Sequence, residues 1–346
     1  MAKAKASISS SSSSKPGALT TTTLGTALAG SGKPKTFPVQ HVGSGKYSDV
    51  FKVRLGPRSV MMKILFYRHD TMRDFAEKAT RGDVAGAMAS KRQDAISVGK
   101  EFGRFTMSLL DRVSPHFAMV YCTLDVKDFA LKFRPMLDER LRELSKVQRR
   151  YNNVCFMEAF SSDLTKYLTR GRYTEEELRG IIFQVLYTLA ALQKLLPGFR
   201  HNDLSTNNIL VKRARKRVVN AYTINGNTFT VKGLPVFVAL ADYDFVHVPN
   251  NPLLGNERII NGNYRVDGRP NASYDTHFFL KSVYKCILPR AHKFPATTAF
   301  LTGIGLRQED RQNEQIPHLA PILLLANPYF NALRGGAKNP DSAYVV

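Results

Sequence analysis

Apolar positions along the chain begin near Phe37. There they come in short runs broken by glycine, "FPVQHVGSGKYSDVFKVRL" and then "SVMMKILF", the pattern of strands joined by tight turns. Residues 69–97 are charged and rich in Ala and Gly, and are expected to be helical or an insertion. In "VGKEFGRFTMSLLDRV", Phe102, Phe105, Leu109 and Val113 recur at helical spacing. A charged helical insert is expected over 125–151, then a buried strand at "NNVCFMEAF". The clearest helix is "TEEELRGIIFQVLYTLAALQKLL". Thr174 and Glu177 form a capping box, an apolar stripe runs from Leu178 to Leu192, and Pro197 and Gly198 end the helix. "NILVK" and "VFVALADYDF" read as two strands with a turn signal, "INGN", between them.

Between the long helix and the first of those strands lies "HNDLSTNNIL". Asp and Asn side chains compete with the backbone for hydrogen bonds, so so polar a stretch before an apolar run predicts a loop feeding a strand. The spacing of Asp203 and Asn208 would let a carboxylate and a carboxamide share one reaction centre.

Residues 1–36 are dominated by Ser, Thr, Gly and Lys, with no aromatic and no acid, and read as a disordered basic tail. The chain of 346 residues is otherwise long enough for a sizeable core. No apolar window approaches the roughly 18 residues of a membrane span, and no secretory signal is expected. Three widely separated cysteines, Cys122, Cys155 and Cys286, argue against a disulfide framework or a zinc cluster. They point to a reducing compartment, cytoplasmic or nuclear. The formal charge of +22 implies attraction to polyanions, either an acidic protein substrate or nucleic acid. The basic run "VKRARKRVV" just after the polar loop could steer acidic substrates.

In order, these pieces resemble a protein kinase domain. "GSGKYSDVFKV" resembles the Gly-rich loop, "VMMK" the strand carrying the phosphate-binding Lys, "HNDLSTNN" the catalytic loop, and "DYD" the Asp-Phe-Gly position. "SYDTHFFLKSVY" resembles the central helix of the large lobe, with Asp275 as its buried acid. The resemblance is strongest to the divergent serine/threonine kinases of large nucleocytoplasmic DNA viruses, so a host-cell or virion location is implied. It covers residues 37 to 346 and implies an α+β, bilobal fold: a β-rich N-lobe with its inserts and hinge over 37–160, and a mainly helical C-lobe over 161–346.

The resemblance also implies roles. Val42, Gly43, Ser44, Gly45, Ser48 and Val50 would surround the ATP phosphates and adenine, and Lys63 would neutralise the inner phosphates. A helix Glu should hold Lys63, with Glu101 the first choice and Glu77 the competitor. Glu158 and Phe160 of "FMEAF" would present the hinge to adenine. Asp203 would act on the acceptor hydroxyl, while Asn208 and Asp242 would hold Mg²⁺. Departures are equally visible. Asn202 replaces the usual Arg, Ser205 the phosphate-contacting Lys, and Asp244 the Gly of Asp-Phe-Gly; no Ala-Pro-Glu lies between Asp242 and Asp275. Choline and aminoglycoside kinases share a similar His-Asn-Asp and acid-aromatic-acid pattern, so a small-molecule acceptor is the alternative. A pseudokinase binding module is the third reading, disfavoured because Lys63, Asp203, Asn208 and Asp242 are all present.

Overall fold

The computed structural model describes residues 38–262, 268–306 and 317–346; the tail expected over 1–36 lies outside the described residues. The first lobe is built on a five-stranded antiparallel sheet. Its strands are β1 (Val39–Ser44), β2 (Ser48–Leu55), β3 (Arg58–Phe66), β4 (Val120–Lys127) and β5 (Tyr151–Glu158), in the order β1-β2-β3-β5-β4. Register decides what each face presents. Lys63 lies opposite Val50 on β2 and Cys155 on β5, so these three share one face. Met62 lies opposite Phe51 and Phe156, which therefore belong to the other face.

Two groups of helices interrupt the sheet. Between β3 and β4 run α1 (His69–Thr80), α2 (Val84–Arg92) and α3 (Ala95–Met107). Buried Asp94 caps α3, accepting from the Ile96 amide at 3.0 Å. Between β4 and β5 the expected charged insert resolves into a short 3-10 turn, α4 (Arg134–Glu143) and α5 (Lys146–Arg150). Leu137 and Leu141 of α4 pack with Phe51, Met62, Ile64 and Phe156. This helix thus covers the sheet face opposite Lys63.

The second lobe forms around α7 (Glu175–Leu195), which follows α6 (Leu164–Arg170). The Thr174–Glu177 capping box is present, and the helix is buried on most sides from Leu178 to Leu192. Phe102, Leu109 and Phe117 from the first half of the chain join this core, tying α3 to the second lobe. Strands β6 (Ser162–Asp163), β7 (Ile209–Arg213) and β10 (Val236–Leu240) make a small sheet in the order β10-β7-β6. The turn signal "INGN" lies between β7 and β10 as expected, but does not join them directly. It closes an additional hairpin of β8 (Val219–Ile224) and β9 (Asn227–Lys232), with Asn225 and Gly226 at φ 48° and 76°. Positive φ at both central residues is what a tight two-residue hairpin turn demands. The C-terminal β11 (Ser342–Val345) adds to β8 in parallel. Further on, α8 (Glu257–Ile260), α9 (Tyr274–Ile287) and α10 (Pro295–Gly303) complete the lobe.

The architecture is α+β, with an antiparallel sheet lobe and a larger helical lobe, consistent with a bilobal kinase-like fold. No helix among the described residues is long and apolar enough to cross a membrane.

Candidate active site

The polar loop after α7 is held from beneath by one buried acid. Asp275, in the first turn of α9 and fully buried, accepts the His201 amide on Oδ2 at 2.7 Å and the Asn202 amide on Oδ1 at 2.8 Å. Burial raises its carboxyl above the ordinary range, and those two amides and nearby cations pull the other way. Asn202 adopts φ 65°, a left-handed conformation Asn tolerates better than most residues, and its side-chain amide donates to the Phe245 carbonyl at 3.0 Å. Buried His201 donates from Nε2 to the Ala241 carbonyl at 3.1 Å.

These contacts turn Asp203 outward, where it is exposed. A 3-10 turn, Thr206–Asn208, then brings Asn208 back over it: Nδ2 donates to Asp203 Oδ2 at 2.8 Å and to its carbonyl at 2.6 Å. The Asn208 amide is thereby spent on Asp203, leaving Oδ1 without a partner among the described residues. Partial desolvation, with Asp242 and Asp275 nearby, raises the Asp203 carboxyl above its usual value.

Asp242 reaches the same place along the neighbouring strand. β10 pairs antiparallel with β7, matching Leu240 to Ile209, and the Ala241 amide donates to the Asn208 carbonyl at 3.0 Å. Asp242 itself is left-handed at φ 65°. Lys63 Nζ donates to its Oδ1 at 2.8 Å, joining the two lobes. Burial would raise the Asp242 carboxyl, but the adjacent ammonium outweighs it and holds it low. Burial would likewise lower the Lys63 pKa, yet Asp242 and Asp244 together raise it. Burial, helped by Asp242 and Asp94, outweighs the Lys63 and Arg68 cations and pushes Asp244 up to about 7.

Lys63, Asp203, Asn208 and Asp242 therefore converge, but the helix acid expected to hold Lys63 does not join them. Glu101 pairs with Arg104 at 3.2 Å on its own helix, and Glu77 lies near Arg73 at 4.0 Å on α1. The reason is the rotation of α3. Gly99 is the residue turned to the Asp242 segment; a Cβ there would sit 2.8 Å from Asp244 Oδ1 and 3.1 Å from the Tyr243 carbonyl carbon. Glu101, two residues on, lies about 200° round the helix. The close approach of α3 requires glycine, a signal readable in "SVGKEF" only once the packing is known.

At the hinge the N–H of Glu158 is taken by the Met119 carbonyl at 2.9 Å, and its carboxylate bonds Lys212 of β7. Ala159 and Phe160 have no backbone hydrogen bonds among the described residues, so their N–H and carbonyl groups remain available to a planar heterocycle. In the glycine-rich turn Val42 is exposed, Ser48 is buried, and Val50 shares the Lys63 face. Gly43 lies in β1, Gly45 donates to the Ser48 carbonyl at 2.7 Å, and the Ser44 hydroxyl donates to Asp49 at 2.5 Å.

The donor set suits a hard divalent cation: among the described residues neither Asp242 Oδ2 nor Asn208 Oδ1 has a hydrogen-bond partner. Such an ion would offset negative charge on a bound phosphate.

A sheet lobe delivering a lysine to an Asp on a helical lobe, beside a loop Asp–Asn pair, defines a protein-kinase-like molecule. Sequence comparison agrees. The profile of the poxvirus serine/threonine protein kinase family matches residues 161–308. Two proteins of Acanthamoeba polyphaga mimivirus are similar: "Putative serine/threonine-protein kinase R400", 23% identical over 228 residues, 59% of this chain and 48% of that one, and "Putative serine/threonine-protein kinase R301", 29% identical over 153 residues, 33% of this chain and 38% of that one. The chain spans less than half the length of either. It is a divergent kinase-like protein, similar to viral serine/threonine kinases.

Proposed function

We propose that the chain is an ATP-dependent phosphotransferase that moves the γ-phosphate to a protein serine or threonine hydroxyl. The observation that carries this reading is the convergence of Lys63, Asp242, Asn208 and Asp203 from both lobes on one end of the β7–β10 pair. Phosphoryl transfer asks for positioning and charge compensation more than for covalent help. Lys63 would bind the inner phosphates and the free groups of Ala159 and Phe160 the adenine. Asp242 and Asn208 would hold Mg²⁺, which when bound neutralises phosphate charge. Asp203, outward-facing and anchored by Asn208, would orient the acceptor hydroxyl and take its proton.

Acceptor class follows the names of the relatives, which are all of serine/threonine kinase type. A small-molecule acceptor is the second reading, favoured by the acid at Asp244. Incubation of the purified chain with labelled ATP and Mg²⁺, against casein, histone, choline and an aminoglycoside, separates them. Label on casein or histone Ser/Thr supports the proposal, label only on a small molecule supports the alternative, and no transfer to any acceptor despite ATP binding indicates a binding module.

A further inference from the structure

The α4 insert does more than cover the sheet. Arg140, near its end, reaches the tip of the glycine-rich turn with all three guanidinium nitrogens. Nη1 donates to the Lys46 carbonyl at 3.1 Å, Nη2 donates to the Gly45 carbonyl, and Nε donates to Asp49 Oδ2 at 3.3 Å. Asp49 is 1% exposed and is also bonded by His41 Nε2 at 3.2 Å and Ser44 Oγ at 2.5 Å. A buried, triply held carboxylate thus fixes the planar fork, and the fork fixes two successive carbonyls.

Peptide geometry gives this a consequence. In a trans peptide the carbonyl and the following N–H point in opposite directions. With the Gly45 and Lys46 carbonyls turned to Arg140, the Lys46 and Tyr47 amides turn away from it. Neither amide has a hydrogen-bond partner among the described residues. Since α4 packs on the sheet face opposite Lys63, away from Arg140 means toward the Lys63 side. Successive free N–H groups of this kind bind anions.

We propose that Arg140 is a positioning residue for the triphosphate: by holding the Gly45 and Lys46 carbonyls it aims the Lys46 and Tyr47 amides at the nucleotide phosphates. The proposal rests on the kinase reading above. Its effect is specific to the phosphate end of the ligand, because the adenine contacts come from Ala159 and Phe160 on another strand's exit. Lysine, with a single-point ammonium, could not bridge two carbonyls and a carboxylate at once.

The test is calorimetric titration of the full chain with ATP and, separately, adenosine, for wild type, Arg140→Met and Arg140→Lys. Expected are ATP binding by wild type, about a tenfold loss of ATP affinity in Arg140→Met, and an intermediate loss in Arg140→Lys. Adenosine affinity should stay within about twofold in both variants, which also reports that they are folded. Turnover should show the same change in KM for ATP, with kcat less affected. Equal losses for ATP and adenosine, or unchanged ATP affinity, would overturn the role of Arg140. A wild-type chain that binds neither ligand would overturn the kinase reading beneath it.

Discussion

Lys63 and Asp242 are bonded to each other, Nζ to Oδ1 at 2.8 Å, across the gap between the lobes. In nucleotide transfer the two would have separate partners, the ammonium a phosphate and the carboxylate a metal ion. On that reading the pair pre-places both charges and would have to loosen for ATP to enter. Lys63→Met is expected to lower kcat/KM for ATP at least about a hundredfold, the scale of losing one preorganised charge contact. Steady-state kinetics over a range of ATP checks it; normal kinetics in the variant would show that Lys63 does not bind the nucleotide phosphates.

Asp203→Asn separates binding from chemistry. Asp203 faces solvent and touches Asn208, while Lys63 and Asp242 do not depend on it. An amide at 203 can still accept from Asn208 through its oxygen, so the loop should keep its shape. Phosphoryl transfer should fall about a thousandfold, within the usual contribution of a positioned base, with ATP affinity nearly unchanged. Activity within about tenfold of wild type would remove Asp203 from the mechanism.

Asp275→Ala should act through stability. The substitution leaves the His201 and Asn202 amides without their acceptor in a fully buried place. An unmet buried donor costs roughly 1–3 kcal/mol, and two are created. Urea denaturation should show the loss, with Asp275→Asn milder because one oxygen remains. An alanine variant as stable as wild type would show that the loop finds other acceptors.

Much of this was legible in the sequence because the signals are local. The capping box of Thr174 and Glu177 and the stripe after it define α7 without tertiary knowledge. The His201–Asn208 spacing is likewise confined to one loop. What failed to show were relations across distance. Glu101 looks suitable by position, but the rotation of α3, set by Gly99 against Asp244, turns it away. The β8–β9 hairpin announced itself only by its turn, because its pairing with β11 joins residues more than a hundred apart. Arg140 carried no signal at all: one arginine on a charged helix is ordinary until the helix lands beside the glycine-rich turn.

His116 offers a test of the second lobe's core by pH. It is fully buried, with Nδ1 2.9 Å from the Val238 carbonyl and Nε2 2.8 Å from the Tyr222 hydroxyl. The carbonyl can only accept, so Nδ1 carries the proton and Nε2 accepts from tyrosine. Burial lowers its pKa to about 4 from the ordinary 6.5. Between those values the unfolded chain binds a proton that the folded chain refuses, so stability falls as pH drops from 6.5 to 4. The full effect is on the order of 3 kcal/mol. Denaturant melts of wild type and His116→Gln across that window isolate it: the wild-type advantage should shrink on acidification. A constant difference would show that the imidazole does not resist protonation.

The last expectation concerns control of the segment after Asp242. In protein kinases generally, an arginine beside the catalytic Asp orders this segment by pairing with an added phosphate. Asn202 has no charge to do so. Here the work is done by contacts already in place. Asn202 bonds the Phe245 carbonyl, the Arg200 and His247 backbones pair in both directions, and the Asn256 amide donates to His247 Nδ1 at 3.0 Å. Arg200, fully buried, donates to the Arg269 carbonyl at 2.9 Å and stacks 4.2 Å over the Tyr274 ring. The hydroxyls that could receive phosphate are poorly placed to do so. Tyr243, Ser273 and Tyr274 are buried, Tyr243 donating to the Leu240 carbonyl at 2.6 Å and Ser273 to Asn271 at 2.9 Å; Tyr264 lies outside the described residues. Where the segment is described, neutral hydrogen bonds and a buried cation hold it, and no added charge is needed there. On the kinase reading, the chain should therefore be active as synthesised. Purified protein treated with a broad phosphatase, checked for phosphate removal by mass spectrometry, should keep its initial rate. A fall of more than about tenfold, restored by re-phosphorylation within 243–274, would show that phosphate supplies an ordering contact after all.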